Sequence, residues 1–568
     1  MSARILLSSA VSIAINKAPY TILTVLTLIL LITSSFADNP IIQTCFTADP
    51  APLVYNNTVY VYVGHDSSKA PNDGYLMRYW KCYSSQDMVN WTDHGIALAT
   101  KSVNWSGGDA DAAQVVYRDG KFYYYISTQG PGGVSVGVAV ATSPLGPFTD
   151  IGKPLVTAGQ MTGCNATHSW RGLDPTVFID DDGQAYLYWG NNVCYWVKLN
   201  SDMISCNGSI SCLPQNATAS FGPDFEEAPW VYKRNSVCYM IYASEFPECI
   251  RYATCSNPTG SWIYKGQIMA KQPNGVSNTI HPGVCDFGGN SYFFYHNAAL
   301  PGGGSYRRSV CVEQFNYNTD GAIPTINGTA GGVTSGVGNL NPYDTTQAET
   351  ICWESGVRTQ TCSEGGIHVD SINNGDYIKI KGVDFGAGAA SFMARVASAT
   401  SGGNIELRLD SQTGTLVGTC AVAGTGGWQT WATKSCTISG ATGIHDLFLK
   451  FTGGSGLLFN FNWWKFDPVG TKTVRGKKVD RGYTINIGMI AGKTTLLCLD
   501  FPQPGSQGNL NVCLFDVTGR LIGTLFTGRL SSTHLALPIN QRLIRPSVYA
   551  VRVSLNNTIA LTKTILFR

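Results

Sequence analysis

Five times between residues 49 and 297 the chain repeats one order of polar and apolar positions. Each copy has a polar or ionisable leader, a Pro or small residues, a short apolar run, a turn, and an aromatic-rich alternating run. The copies read Asp49-PAPLVYNNTVYVYV, Asp111-AAQVVYRDGKFYYY, Asp174-PTVFIDDDGQAYLYW, Glu227-APWVYKRNSVCYMIY and His281-PGVCDFGGNSYFFY. Alternation at period two predicts half-buried strands. The Asn, Asp and Gly of the turns tolerate the positive φ that tight hairpins need. The leaders are spaced 62, 63, 53 and 54 residues apart, about one propeller blade each. The repeat therefore predicts a five-bladed β-propeller over residues 38–330. Equivalent strands around one axis would gather their leaders at one end of it.

The pattern then changes. Residues 325–341, TINGTAGGVTSGVGNLN, are rich in Gly, Thr and Ser and read as a linker or a slow wrap-around. Short alternating strands with Gly turns follow over 341–468, predicting a jelly-roll β-sandwich. Residues 469–568 predict a small C-terminal antiparallel β-sandwich. The expected class is all-β throughout.

Composition narrows the setting. With 13% charged residues and a formal charge of +2, the chain lacks the basic excess of a nucleic-acid binder. Near the N-terminus, Arg4 and Lys17 precede the apolar run Thr21–Ile32, with Ser35 and Ala37 at the −3 and −1 positions of a cleavage site before Asp38. The run is too short to span a bilayer, so residues 1–37 read as a signal peptide, with a secreted or cell-surface product and no membrane insertion afterwards. Seventeen cysteines fit an oxidising compartment. Cys206/Cys212, Cys352/Cys362, Cys420/Cys436 and Cys498/Cys513 are near pairs that could close local loops. Sequons stand at Asn56, Asn90, Asn104, Asn165, Asn207, Asn216, Asn327 and Asn556.

Asp49, Asp174 and Glu227 lead copies one, three and four in register, whereas independent surface acids would scatter relative to the hairpins. Glycosidic cleavage needs two carboxyl groups, one protonated to assist the leaving oxygen and one ionised to activate water or attack. The repeat aligns Glu227 with the Asp of the DP pairs and puts Glu226 one residue early, on the other face of a strand. Asp180, Asp181 and Asp182 sit in a turn, where Asp is expected for structural reasons.

The segments SWRGLDPTVFIDDDGQAYLYWG, GPDFEEAPWVYKR and FFYHNAALPGGGSYRRSVCVE resemble glycoside hydrolase family 43, most of all its arabinoxylan arabinofuranosidase and β-xylosidase members. The resemblance covers residues 40–320 and implies hydrolysis with inversion. It implies Asp49 as general base, Glu227 as general acid, and Asp174 as the carboxylate that orients the acid and raises its pKa. It places His281 near the axis, touching a bound calcium through water, and Arg308 at the sugar subsite. Relatives often carry Trp where this chain has Asp111; a carboxyl there would hydrogen-bond sugar hydroxyls or add a further negative charge. No cofactor is expected for catalysis.

The second unit resembles carbohydrate-binding module family 6, through NPYDTTQAET, INNGDYIKIKGVDFG, GWQTW and TGGSGLLFNFNWWKF. By that resemblance Trp428, Asn460 and Tyr377 belong to a sugar cleft and Glu349 to a structural calcium site. Trp463 and Trp464 sit in a strand and read as core. The last unit resembles the sorting domain of type IX secretion, through VCLFDVTGRLIGTL and PSVYAVRVS. The expectation is a monomeric, secreted hydrolase removing α-L-arabinofuranosyl branches from arabinoxylan or a related plant cell-wall polysaccharide. The alternatives are a β-xylosidase or arabinan hydrolase, and a non-catalytic carbohydrate-binding protein.

Overall fold

The computed structural model describes residues 38–469, apart from 71–73, 166–167 and 273–276, and strands between 486 and 567. The expected leader, residues 1–37, and the sequon at Asn556 lie outside the described residues. The described chain is almost entirely β, with one four-residue helix at Thr218–Phe221. No helix among the described residues is long and apolar enough to cross a membrane.

Five antiparallel meanders follow one another. They are β1 (Thr47–Tyr55), β2 (Thr58–Asp66), β3 (Met77–Ser85) and β4 (Trp91–Ala99); β5 (Ala110–Arg118), β6 (Lys121–Gly130), β7 (Gly133–Ala141) and β8 (Thr149–Asp150); β9 (Thr176–Ile179), β10 (Ala185–Trp189), β11 (Val193–Leu199) and β12 (Cys206–Pro214); β13 (Glu227–Arg234), β14 (Val237–Ser244), β15 (Cys249–Cys255) and β16 (Ile263–Met269); and β17 (Gly283–Phe287), β18 (Asn290–Asn297) and β19 (Ser309–Phe315). The first strands are mutual neighbours: β1 packs on β5 and β17, β5 on β9, and β9 on β13. In a meander the start of the first strand and the loop between the second and third lie at the same end. That end carries the site.

The aromatic runs depart from the half-buried expectation. Tyr123, Tyr124 and Tyr125 of β6 are consecutive, so they face both sides of the sheet, and all are buried. Neighbouring sheets cover both faces, with Tyr62 against Tyr124 at 5.2 Å between ring centroids.

Residues 341–468 form two sheets around a common core. Their strands are β20 (Thr346–Gln347), β21 (Thr350–Ile351), β22 (Trp353–Ser355), β23 (Arg358–Thr361), β24 (Ile367–Asp370), β25 (Tyr377–Asp384), β26 (Ala389–Ala397), β27 (Gly402–Leu409), β28 (Leu416–Ala423), β29 (Trp431–Thr437), β30 (Ile444–Gly453) and β31 (Asn460–Pro468). One sheet runs β23-β24-β31-β26-β29 and the other β22-β25-β30-β27-β28. Trp464 is fully buried between them, as expected of core.

The Gly-rich stretch is a strap rather than a free linker. Ile326 and Val333 are buried, and the amides of Ile326, Val337 and Leu340 donate to the carbonyls of Ile268, Asp87 and Gly382. The sandwich is joined to the first meander, because β21 extends that sheet by pairing with β4. Buried Asp38 accepts from Lys379 at 2.8 Å and from Lys381 at 2.5 Å, and Asn90 bonds the Lys381 backbone through both side-chain atoms. Residues 38–469 thus belong to one compact unit, and the described strands between 486 and 567 to a second. The described strands of the second unit form two antiparallel sheets.

Cys164 and Cys212 form a disulfide. Cys206 is free, correcting the expected Cys206/Cys212 pair: both residues lie in β12, where strand rise separates them by roughly 20 Å, too far for a bridge. Cys352, Cys362, Cys420, Cys436 and Cys513 are free thiols, and the Cys498 side chain lies outside the described residues.

Candidate active site

The leaders are aimed by β-bulges. Pairing in β1 jumps between Ala48 and Ala51, in β5 between Ala110 and Ala113, and in β13 between Glu227 and Trp230. Asp49, Asp174 and Ala228 take left-handed backbone angles of φ 55°, 61° and 56°. Each precedes a Pro. The register therefore corrects the sequence alignment by one residue: Ala228 is the counterpart of Asp49 and Asp111, and Glu227 is the counterpart of Ala48 and Ala110. Glu227 reaches the pocket because a bulge re-aims consecutive side chains. Glu226, expected on the opposite face, also lines the pocket.

Asp49, Asp111, Asp174, Glu226, Glu227, Glu248, Tyr75, Trp170, Asn191, Phe246, His281 and Arg308 all line a cavity of about 300 Å³ at the leader end of the meanders. That is the lower edge of the roughly 300–1,000 Å³ typical of small-molecule sites. Trp170 and Phe246 are exposed aromatics at its rim, and the carboxyls sit beneath them.

Arg308 is the buried cation of the group. Its guanidinium bonds both Asp66 oxygens, at 2.8 and 2.9 Å, and gives its remaining nitrogen to Asp49 at 2.9 Å. The fork is thus fixed before any substrate arrives. Burial nonetheless pushes the Asp49 carboxyl up to about 7, against the opposing pull of Arg308. His281 stands 3.9 Å from Asp49, and burial with Arg308 nearby holds it down at about 3, a neutral ring. His296 lies behind it, with Nδ1 accepting the Asp49 amide at 3.2 Å.

Glu227 accepts from Asn191 Nδ2 at 2.8 Å, and burial raises its carboxyl above the ordinary range. Asp174 accepts the Ala228 N–H at 2.9 Å, one residue from Glu227, and its own carboxyl is raised far above the usual value, first by burial and then by Glu227. The raised Glu227 carboxyl thus follows from burial, whereas Asp174 holds the backbone that aims it. Asp111 is likewise raised, by burial and then by Asp49, and takes a 3.3 Å bond from the Tyr75 hydroxyl. Both effects favour its protonated, hydrogen-bond-donating form over the charged one.

Calcium takes about 6–8 oxygens, and among the described residues no cluster of three or more His, Cys, Asp or Glu is arranged to hold a metal. His281 faces Asp49, which Arg308 shares with Asp66. Glu349 is buried with Oε2 unbonded, and burial first, then Asp93, pushes its carboxyl up to about 9.

In the sandwich, Asn460 Nδ2 donates to the Trp428 carbonyl at 2.7 Å, so those two residues meet. Tyr377 lies in the other sheet, buried against Phe448, apart from that pair.

Sequence reading missed Glu248, Asn191 and Asp66. Glu248 and Asn191 sit in the β14–β15 and β10–β11 loops, and Asp66 ends β2. A meander returns those loops to the leader end, so the signal was topological.

Residues 37–323 match glycosyl hydrolases family 43, and residues 347–468 match carbohydrate binding module family 6. An arabinoxylan arabinofuranohydrolase of Bacillus subtilis (strain 168) is 38% identical over 490 residues, covering 75% of this chain and 92% of that protein. A xylosidase/arabinosidase of Bacteroides ovatus is 29% identical, over 50% of this chain and 95% of its own. The crystal structure of a family 43 arabinoxylan arabinofuranohydrolase from Bacillus subtilis, in complex with cellotetraose, superposes with a TM-score of 0.65 at 35% identity, covering 76% of this chain and 97% of that one.

Proposed function

The chain belongs to glycosyl hydrolases family 43, and from that premise we propose an arabinoxylan arabinofuranohydrolase working by inversion in a five-bladed propeller. It is a glycosidase that removes arabinofuranosyl groups from hemicellulose. The observation that carries the residue assignment is one pocket holding Asp49, Asp174 and Glu227 with Arg308 pinned beneath.

In this reading Asp49 takes a proton from water, whose oxygen attacks the anomeric carbon. Glu227 gives its proton to the departing glycosidic oxygen, leaving its conjugate base behind. Burial supports the acid by keeping Glu227 protonated, and Arg308 supports the base by fixing Asp49 and favouring its ionised form. Asp174 positions the acid through Ala228. Neutral Asp111 donates a hydrogen bond to a sugar oxygen. Trp428 and Asn460 hold polysaccharide at the appended module. Export after removal of residues 1–37, and sorting through residues 469–568, belong to the same proposal.

Glu227→Ala tests the assignment. Release of arabinose from arabinoxylan should vanish while polysaccharide binding persists; arabinose released at the parent rate would refute it. Product analysis on xylo-oligosaccharides and arabinan separates the xylosidase and arabinanase alternatives. Polysaccharide binding without any hydrolysis in the parent protein would favour the non-catalytic reading, against which the intact acid set stands.

A further inference from the structure

We propose that Glu248 is a positioning residue for the proton donor, its carboxyl O–H held on the Glu227 carboxyl as the second of two hydrogen-bond donors. The inference rests on Glu227 being the general acid. Glu248 is 3% exposed in the β14–β15 loop and lines the same cavity. One oxygen, Oε2, accepts the Ile280 N–H at 2.6 Å, and its own amide donates to the Asn278 carbonyl at 2.9 Å. The carboxyl is therefore anchored on the chain segment that leads into His281. Its side chain hydrogen-bonds Glu227. Two carboxyls in contact in a buried site cannot both be ionised, because like charges repel at short range; the pair carries two protons before the step and keeps one after it.

Which group keeps the remaining proton follows from the surroundings. Burial first, and then Glu227, Glu226 and Asp174 facing it, push the Glu248 carboxyl well above the ordinary carboxylate range. Arg308 acts on the Glu227 side. When Glu227 delivers its proton to the leaving oxygen, a carboxylate appears in a buried pocket. It meets two ready donors: Asn191 Nδ2–H, already at 2.8 Å, and the Glu248 O–H. The Glu227 O–H bond breaks, the proton goes to the glycosidic oxygen, and no proton leaves Glu248. Donors aimed at charge that develops in the transition state accelerate the step without reorganisation.

Glu248→Leu removes the donor and keeps burial, and Glu248→Gln keeps both an acceptor for Ile280 and an N–H for Glu227. A hydrogen bond to a charged group corresponds to roughly 10- to 100-fold in rate. Glu248→Leu should lose that factor in kcat on arabinoxylan, whose leaving group needs protonation, and lose far less on a nitrophenyl arabinofuranoside, whose leaving group does not. Its alkaline limb of kcat/KM should move upward, since the conjugate base of Glu227 is less stabilised. Glu248→Gln should keep the parent ratio between the two substrates.

Equal losses on both substrates, or no loss on either, would overturn the proposal, as would a changed ratio in Glu248→Gln, which remains readable if Glu248→Leu does not fold. Glu227→Ala serves as the control. If it retains arabinoxylan hydrolysis, the acid assignment itself has failed; if it is inactive while Glu248→Leu behaves as the parent, only the role of Glu248 has.

Discussion

Replacing Asp174 by Ala removes the acceptor of the Ala228 N–H and places Ala at a φ of 61°. A buried amide left unsatisfied costs about 1–3 kcal/mol. The left-handed conformation costs Ala about 1–2 kcal/mol that Asp largely avoids through local hydrogen bonding. The sum, on the order of 2–5 kcal/mol, converts at roughly 2 °C per kcal/mol for a large cooperative unit to a Tm lower by about 4–10 °C. The catalytic loss is larger than stability alone predicts, because Glu227 precedes Ala228 and a displaced acid forfeits much of the roughly 10²–10⁴-fold that general acid catalysis supplies. Asp174→Asn separates holding from charge. Its amide oxygen still accepts the Ala228 N–H and Asn tolerates the left-handed angle, so Tm should stay within about 1 °C and kcat should exceed that of Asp174→Ala at least tenfold. Thermal unfolding and initial rates on arabinoxylan read both quantities. Equal inactivation of the two variants with equal Tm would refute positioning and return Asp174 to a purely electrostatic role.

The acidic limb of kcat/KM should fall near pH 7, since Asp49 must be ionised to act and burial raises it to about 7; activity is lost as pH falls through that value, and a flat profile down to pH 5 would contradict the base assignment. Trp428→Ala should weaken retention on insoluble arabinoxylan by pull-down while leaving kcat on short soluble substrates unchanged. Asp38→Ala should uncover buried Lys379, with Asp446 at 3.7 Å as its other partner, and destabilise residues 38–469 by up to about 3–5 kcal/mol. A calorimetric trace identical to the parent would show that this ion pair does not hold the seam.

The repeat made the all-β class and the convergence of leaders legible, because hydrophobic period and turn residues act locally. The register within the leaders was less so. Pro50, Pro175 and Pro229 mark the true alignment, but an acid beside the DP position drew Glu227 onto it, and a bulge is invisible to a period-two count. Glu248 and Asn191 carry no pattern of their own; they matter through strand order, which returns their loops to the leader end. Tyr123–Tyr125 read as alternation and proved buried on both faces, since a period describes one sheet and not what its neighbours cover.

The strap at 325–341 and the shared β4–β21 sheet turn a matter of concentration into one of measurement. A module on a slack tether lets its enzyme sample every branch within reach, with a benefit that declines smoothly as the tether lengthens. Here the offset from Trp428 to Asp49 is a constant of that unit, so with the roles proposed for them the pair would work as a gauge laid along a polymer. A chain shorter than that offset gains nothing from the module. A longer one is trimmed best where its branches recur at the gauge's own interval.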